Sequence, residues 1–234
     1  MRALFYEFPD EPETFGIDSQ FLVGGDILVT PVLAPNVSTV SGECPSVLNF
    51  VTYMLIVIFV GIFPGRGSVI WRDWYTHDVV KTTSGQPTTL SAPLGHINVH
   101  IRDGSALLLH SKPAYTIEET RQGPYSLLVS QTSQGLAHGT AYIDDGVSNP
   151  PGPSRVLSFV STKREVFITG VGAFKVRSEL QEITVLGVGD KPTSVWLNGR
   201  YVNADMWTYV PRQEKLVAFG LNVSLNQAFS LKWE

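Results

Sequence analysis

Hydrophobic and polar positions divide the chain into three stretches of different texture. From Arg66 to Glu234, short runs rich in Val, Ile, Thr, Tyr and Trp recur between turn signals: SVIWRDWYT, HINVHI, ALLLH, YSLLVS, TAYIDDG, VLSFVST, EVFITGVG, EITVLGVG, SVWLNGRYV, KLVAFGL and FSLKWE. Runs of this length and spacing predict strands of β-sandwiches, with no helix of convincing length between them. In HINVHI, alternation puts Ile97, Val99 and Ile101 on one face and Asn98, His100 and Arg102 on the other, which predicts a sheet wet on one side. Asn198-Gly199 predicts a type I′ hairpin, because that turn needs two residues tolerant of positive φ. The stretch NPPGPS, 149–154, cannot pair within a central strand and is expected to be a loop.

The first stretch is different. Arg2–Phe8 and the run ILVTPVL within Phe21–Leu33 read as two buried strands, with the acidic segment Asp10–Gln20 between them as a solvent-facing turn or short helix. Two strands and a loop cannot cover their own apolar faces. Leu4, Phe5, Ile27 and Val29 are therefore expected to face a missing cover, and to favour aggregation if none is supplied. The second stretch, Pro45–Gly65, holds no charged residue, and Val47–Phe63 is almost wholly apolar. Its length sits at the lower edge of a membrane span. Against that reading stand Asn49 and Thr52 inside the run, its β-branched content, Gly61 and Pro64 near its end, and the lack of a flanking Lys/Arg cluster. Association with a membrane is expected only if Val47–Phe63 is a true span.

Composition narrows the functional classes. The 234 residues are 43% apolar, enough for one large domain or two ordinary ones, and the net charge is -4. An acidic chain without a basic face is not built for nucleic acid. The single cysteine, Cys44, excludes an internal disulfide. The first sixteen residues carry no signal-peptide pattern, so any secretory leader of a longer parent would lie upstream. Two N-x-S tripeptides, at Asn36 and Asn222, are glycosylation candidates and suit a secreted parent; the sequence leaves the location of this piece itself open.

Candidate chemistry is sparse. Asp144-Asp145-Gly146 is the most conspicuous carboxylate pair, but neighbours on a strand point to opposite faces. The DDG sequence fits a turn in which Asp caps backbone N–H groups and Gly takes positive φ. The five histidines have no metal-ligand spacing; His96 and His100 alone share a strand face, and two exposed histidines on a wet face are the expectation there. No nucleophile elbow occurs, and Gly24-Gly25-Asp26 lacks the Lys-Ser/Thr of a phosphate loop. No catalytic residue, metal or cofactor is assigned. Trp71, Trp74 and Trp207 are candidate sugar-stacking aromatics, set against ordinary core packing.

Particular residues carry a family resemblance. The segment RALFYEFPDEPETFGIDSQFLVGGDILVTPVL, 2–33, resembles family 31 glycoside hydrolases of the α-glucosidase kind, and so do GIFPG (61–65), WRDWYT (71–76), HIRDGSALLLH (100–110), AYIDDG (141–146) and VWLNG (195–199) in the same order. Asp103 departs from the pattern, standing where the family commonly has a second Gly. The resemblance implies a mainly β chain, the C-terminal end of a (β/α)8 barrel followed by two β-sandwiches. Residues 1–40 would be the end of the barrel, 41–65 an apolar insert, 66–122 a proximal sandwich and 123–234 a distal one. The family's reaction is hydrolysis of terminal α-linked glucose from oligosaccharides, with oligosaccharide bound through the barrel. Its two catalytic aspartates lie before this region and have no counterpart here, so the chain is expected to be inactive alone; the alternative is a non-catalytic carbohydrate-binding or domain-support module. Removing nineteen residues, Glu43–Gly61 or Gly42–Val60, restores the family spacing as VSTVSGIFPG, which fits an unspliced in-frame intron.

Overall fold

A computed structural model describes residues 1–33, 39–40, 60–82 and 86–234. Asn36, Cys44 and all but the last few residues of the apolar run Val47–Phe63 lie outside the described residues. The chain forms two compact units, Met1–Asp103 and Gly104–Glu234.

In the first unit, β1 (Phe21–Val23) and β2 (Ile27–Thr30) form an antiparallel hairpin, turned at Gly24 with φ +66°. Next come β3 (Thr39–Val40), β4 (Val60–Gly61), β5 (Trp71–Asp73), β6 (Thr88–Ser91) and β7 (Asn98–Arg102). One sheet runs β1-β2-β7-β5, and β6 pairs with both β3 and β4. Leu4, Phe8, Leu22, Leu28, Phe63, Trp71, Leu90 and Ala92 form the core.

Residues 2–8 are not the strand expected from their apolar run. Leu4–Tyr6 is a 3-10 turn, and only Arg2 bridges Leu22. The turn sends Leu4 fully into the core while Phe5 and Tyr6 point outward, so the expected exposure holds for Phe5 and not for Leu4. A run this short carries no period to separate strand from helical turn.

The alternation in β7 does not sort its faces as expected, because both faces carry buried residues, Ile101 at 0% exposure among them. Asn98 and His100 are buried, His100 at 2% exposure, whereas Ile97 is 53% exposed. The reason is local: Phe63 packs edge-on to the His100 ring at 4.7 Å, and Asn98 Nδ2 donates to the Ser91 carbonyl at 3.1 Å. The face bearing Asn98 and His100 is thus covered, and Ile101 is covered on the other.

Two buried polar side chains hold the segment 61–65 in place. Gln20 Oε1 accepts from Ile62 N–H at 2.8 Å, and its Nε2 donates to Thr30 Oγ1 at 2.8 Å and to Ile62 O at 3.3 Å. Both Glu11 oxygens accept from Gly65 N–H, at 2.9 and 3.1 Å. Trp71 Nε1 donates to Pro64 O at 2.8 Å.

The pairing with β6 has an arithmetic regularity. Ser91, Leu90, Thr89 and Thr88 meet Thr39, Val40, Val60 and Gly61 in that order. Four consecutive residues of β6 thus meet partners in the order of one uninterrupted strand, although nineteen residues, 41–59, lie between Val40 and Val60.

The second unit contains β8 (Ser105–His110), a single α-helix α1 (Ile117–Gln122), β9 (Tyr125–Ser130), β10 (Ala137–Ile143), β11 (Arg155–Thr162), β12 (Glu165–Gly172) and β13 (Glu179–Leu186). It continues with β14 (Val195–Leu197), β15 (Arg200–Tyr201), β16 (Trp207–Val210), β17 (Lys215–Ser224) and β18 (Phe229–Trp233). These strands join in one curled sheet, β15-β14-β18-β12-β11-β10-β8-β9-β13-β17-β16. Alternation decides the inward face: in β11, Arg155, Leu157, Phe159 and Ser161 are buried between outward neighbours. β8 and β10 run parallel and close, and a Cβ at Gly139 would fall 1.8 Å from the Ala106 carbonyl oxygen, so glycine is required there. Asn198 and Gly199, at φ 50° and 74°, make the expected hairpin, and 149–154 is the expected loop. α1 is capped by Thr116, whose Oγ1 accepts from Glu119 N–H at 3.1 Å. The units part between Asp103 and Gly104, and β8 and β9, on either side of the 122/123 boundary implied by the resemblance, are hydrogen-bonded neighbours.

The β6 register predicts how deletions behave. A chain lacking 41–59 keeps Val60 and Gly61 on their partners, whereas one lacking 41–58 is a residue out of phase with β6. The second variant is expected to unfold at a midpoint roughly 4–8 °C below the first, for about 2 kcal/mol of lost pairing. Equal midpoints in thermal circular dichroism would remove the significance of the register.

Burial pushes the His100 pKa down to about 4, against the nearby Asp73 carboxylate, which raises it, and with His96, which lowers it further. The native imidazole is neutral. From pH 6.5 down to about 4 the unfolded chain takes up a proton that the folded chain refuses, so stability falls as pH drops through that window. The full loss is about 3 kcal/mol. Urea unfolding across this range should show that slope in the native chain and a flatter one in His100→Gln.

Candidate functional site

Carboxylates decide whether hydrolytic chemistry resides in this chain. In the turn after β10, Asp144 Oδ1 accepts from Gly146 N–H at 2.8 Å. Asp145 Oδ1 accepts from Val147 and Ser148 N–H, each at 3.1 Å, and its Oδ2 accepts from the Ser148 hydroxyl. Gly146 takes φ +68°. These bonds, the Ser148 hydroxyl first, hold the Asp145 carboxyl below its usual range. This is the backbone-capping turn expected from DDG. In the first unit, Glu7 pairs with Arg2, Glu11 is spent on Gly65, and Glu13 makes a two-pronged pair with Arg66 at 3.0 and 2.9 Å. Burial pushes the Asp103 carboxyl up, opposed by its bond to the Ile70 backbone and by Arg102 and Arg72.

The aromatic candidates fare unequally. Trp71 is 2% exposed and its indole N–H is bonded, so it presents no ring face to a sugar. Trp74 is half-buried, and half-buried Trp207 packs on the core of the second unit. Asn222, in a bulge of β17 opposite β13, is exposed at φ +49°.

One concavity in the second unit was not anticipated from the sequence. A groove of about 980 Å³ is lined by His110, Arg121, Tyr142, Asp144, Phe174 and Lys175, among others. It brings together the ends of β8, α1 and β10 with the loop before β13. Its floor includes the His110 and Tyr125 rings, 4.7 Å apart. Burial lowers the His110 pKa, with a further push from Arg121, and raises that of the Tyr125 hydroxyl. Alternation hid the groove because its residues come from β8, α1, β9 and β10 and from the loop before β13.

Comparison with known proteins agrees with the resemblance carried by the motifs. The family profile described as "Glycosyl hydrolase family 31 C-terminal domain" matches residues 1–56. An α-glucosidase of Schizosaccharomyces pombe is 38% identical over 234 residues, covering 100% of this chain and 22% of that protein. An α-glucosidase of Aspergillus niger is 38% identical over 235 residues, with the same shares. In fold, the chain resembles the glucosidase II alpha subunit in a crystal structure, with a TM-score of 0.74 and 20% identity over 99% of this chain and 25% of that one. The Flavobacterium johnsoniae dextranase FjDex31A gives a TM-score of 0.66 and 19% identity, over 100% of this chain and 29% of that one. The chain therefore spans about a fifth of the length of the curated relatives it matches, and along that length it is similar to the C-terminal part of glycoside hydrolase family 31 α-glucosidases.

Proposed function

We propose that this chain is the non-catalytic C-terminal part of an exo-acting, retaining α-glucosidase, and that alone it hydrolyses nothing. The observation that carries the reading is the match along the entire chain to α-glucosidases of which it makes up 22%. Glycosidic cleavage needs an acid on one side of the bond and a nucleophile or base on the other. The carboxylates of Glu7, Glu11, Glu13 and Asp145 are already engaged in structural bonds.

On this reading, residues 1–40 end the (β/α)8 barrel, 66–122 and 123–234 are proximal and distal sandwich regions, and oligosaccharide is bound by the barrel. An aromatic surface supports a docking role for the first unit. Phe5 and Tyr6 are stacked at 4.8 Å, Phe15 stands edge-on to Phe5 at 6.3 Å, and all three are exposed. Such a cluster suits cover by a neighbouring domain. The β6 register supports reading the residues between Val40 and Val60 as an insertion into one strand.

Incubated with maltose or p-nitrophenyl α-glucoside, the purified chain is expected to release product at the rate of buffer alone. Turnover that tracks the chain through purification would overturn the proposal. For a secreted parent, Asn222 is the accessible acceptor, with Ser224 completing the tripeptide. Mass spectrometry of the chain made through a eukaryotic secretory route should find a glycan on the Asn222 peptide, and a bare peptide would count against that route.

A further inference from the structure

The groove of the second unit has a composition that the catalytic reading does not use. Arg121 is placed by backbone geometry: a Cβ on Gly146 would fall 1.2 Å from its Nη1, so the guanidinium lies directly against the glycine of the DDG turn. Neither Arg121 nor Lys175 makes a hydrogen bond or ion pair among the described residues, and both are exposed. Asp145 is consumed by the turn, but Asp144 uses only Oδ1, which leaves Oδ2 as an acceptor at the same rim. Tyr142, 58% exposed, and half-buried Phe174 add aromatic surface.

We propose that this groove is a non-catalytic binding site for a neutral hexose oligosaccharide. Vicinal hydroxyls need donors and an acceptor side by side, which Arg121, Lys175 and Asp144 Oδ2 provide. The C–H face of a pyranose needs a flat apolar partner, which Tyr142 provides. The volume is at the upper end of the range for small-ligand sites, roughly 300–1,000 Å³, enough for more than one sugar ring. The lining mixes Arg121, Lys175 and Arg177 with Asp144 and Asp145, an interleaving of both signs that suits a neutral polyhydroxyl ligand. The choice of α-linked glucose as the sugar rests on the proposed function; the site itself does not.

The test is a titration of the isotopically labelled full chain with maltotriose, and separately with mannotriose, followed by amide chemical shifts. Maltotriose is expected to shift the amides of Arg121, Tyr142 and Lys175 together. Tyr142→Ala is expected to weaken binding about tenfold, as is Arg121→Gln, which removes the guanidinium and leaves the Gly146 turn, at φ +68°, intact. Tyr115→Ala, at a fully exposed tyrosine outside the groove lining, should bind as the native chain does. Unchanged binding in folded Tyr142→Ala, shifts centred elsewhere, or no shifts with either sugar overturns the proposal. Binding of mannotriose alone would keep the site and count against the α-glucan reading of the parent.

Discussion

The first unit depends on satisfying the backbone polar groups of Ile62–Gly65 after β4 has ended. Ile62 and Gly65 each present an N–H to a covered interior, and a buried donor left unpaired costs on the order of 1–3 kcal/mol. Gln20 answers Ile62 on both its N–H and its carbonyl, and Glu11 answers Gly65 with both oxygens. Phe63 is thereby held in the core between Trp71 and His100, at ring separations of 6.2 and 4.7 Å. A side-chain clamp here does what a ladder does elsewhere.

That clamp gives physical content to residues otherwise noticed only as family markers. The Gln of IDSQF and the first Glu of DEPET read in sequence as parts of an acidic, solvent-facing loop. Both are buried because they serve a segment more than forty residues away. Local pattern carries no trace of a partner at that separation, so only the resemblance pointed to them. The same limit explains β7: alternation was visible in HINVHI, but that the Asn98–His100 face would be covered as well as Ile101 depended on Phe63 and β6, beyond the reach of a two-residue period.

The second unit was far more legible. Its cores are built from neighbouring hairpins, and period-two alternation in VLSFVST reports directly on burial in β11. The Asn198-Gly199 turn, the DDG turn and the Pro-rich loop all follow from φ preferences of one or two residues. Long-range order within the sheet was not legible, since the parallel pairings of β8 with β10 and of β9 with β13 join strands distant in sequence. The groove was hidden for the same reason.

The order of the strands in the curled sheet has a consequence for solution behaviour. Its two outermost members are β15, of two residues, and β16, of four, while the eight- and ten-residue strands all lie inside. An unpaired strand margin is a template on which another chain can add its own backbone, and the hazard grows with the length of that margin. By ending on short pieces, this sheet offers almost no template. Contacts with neighbouring molecules are accordingly left to side chains on its faces and loops, where they can be selective.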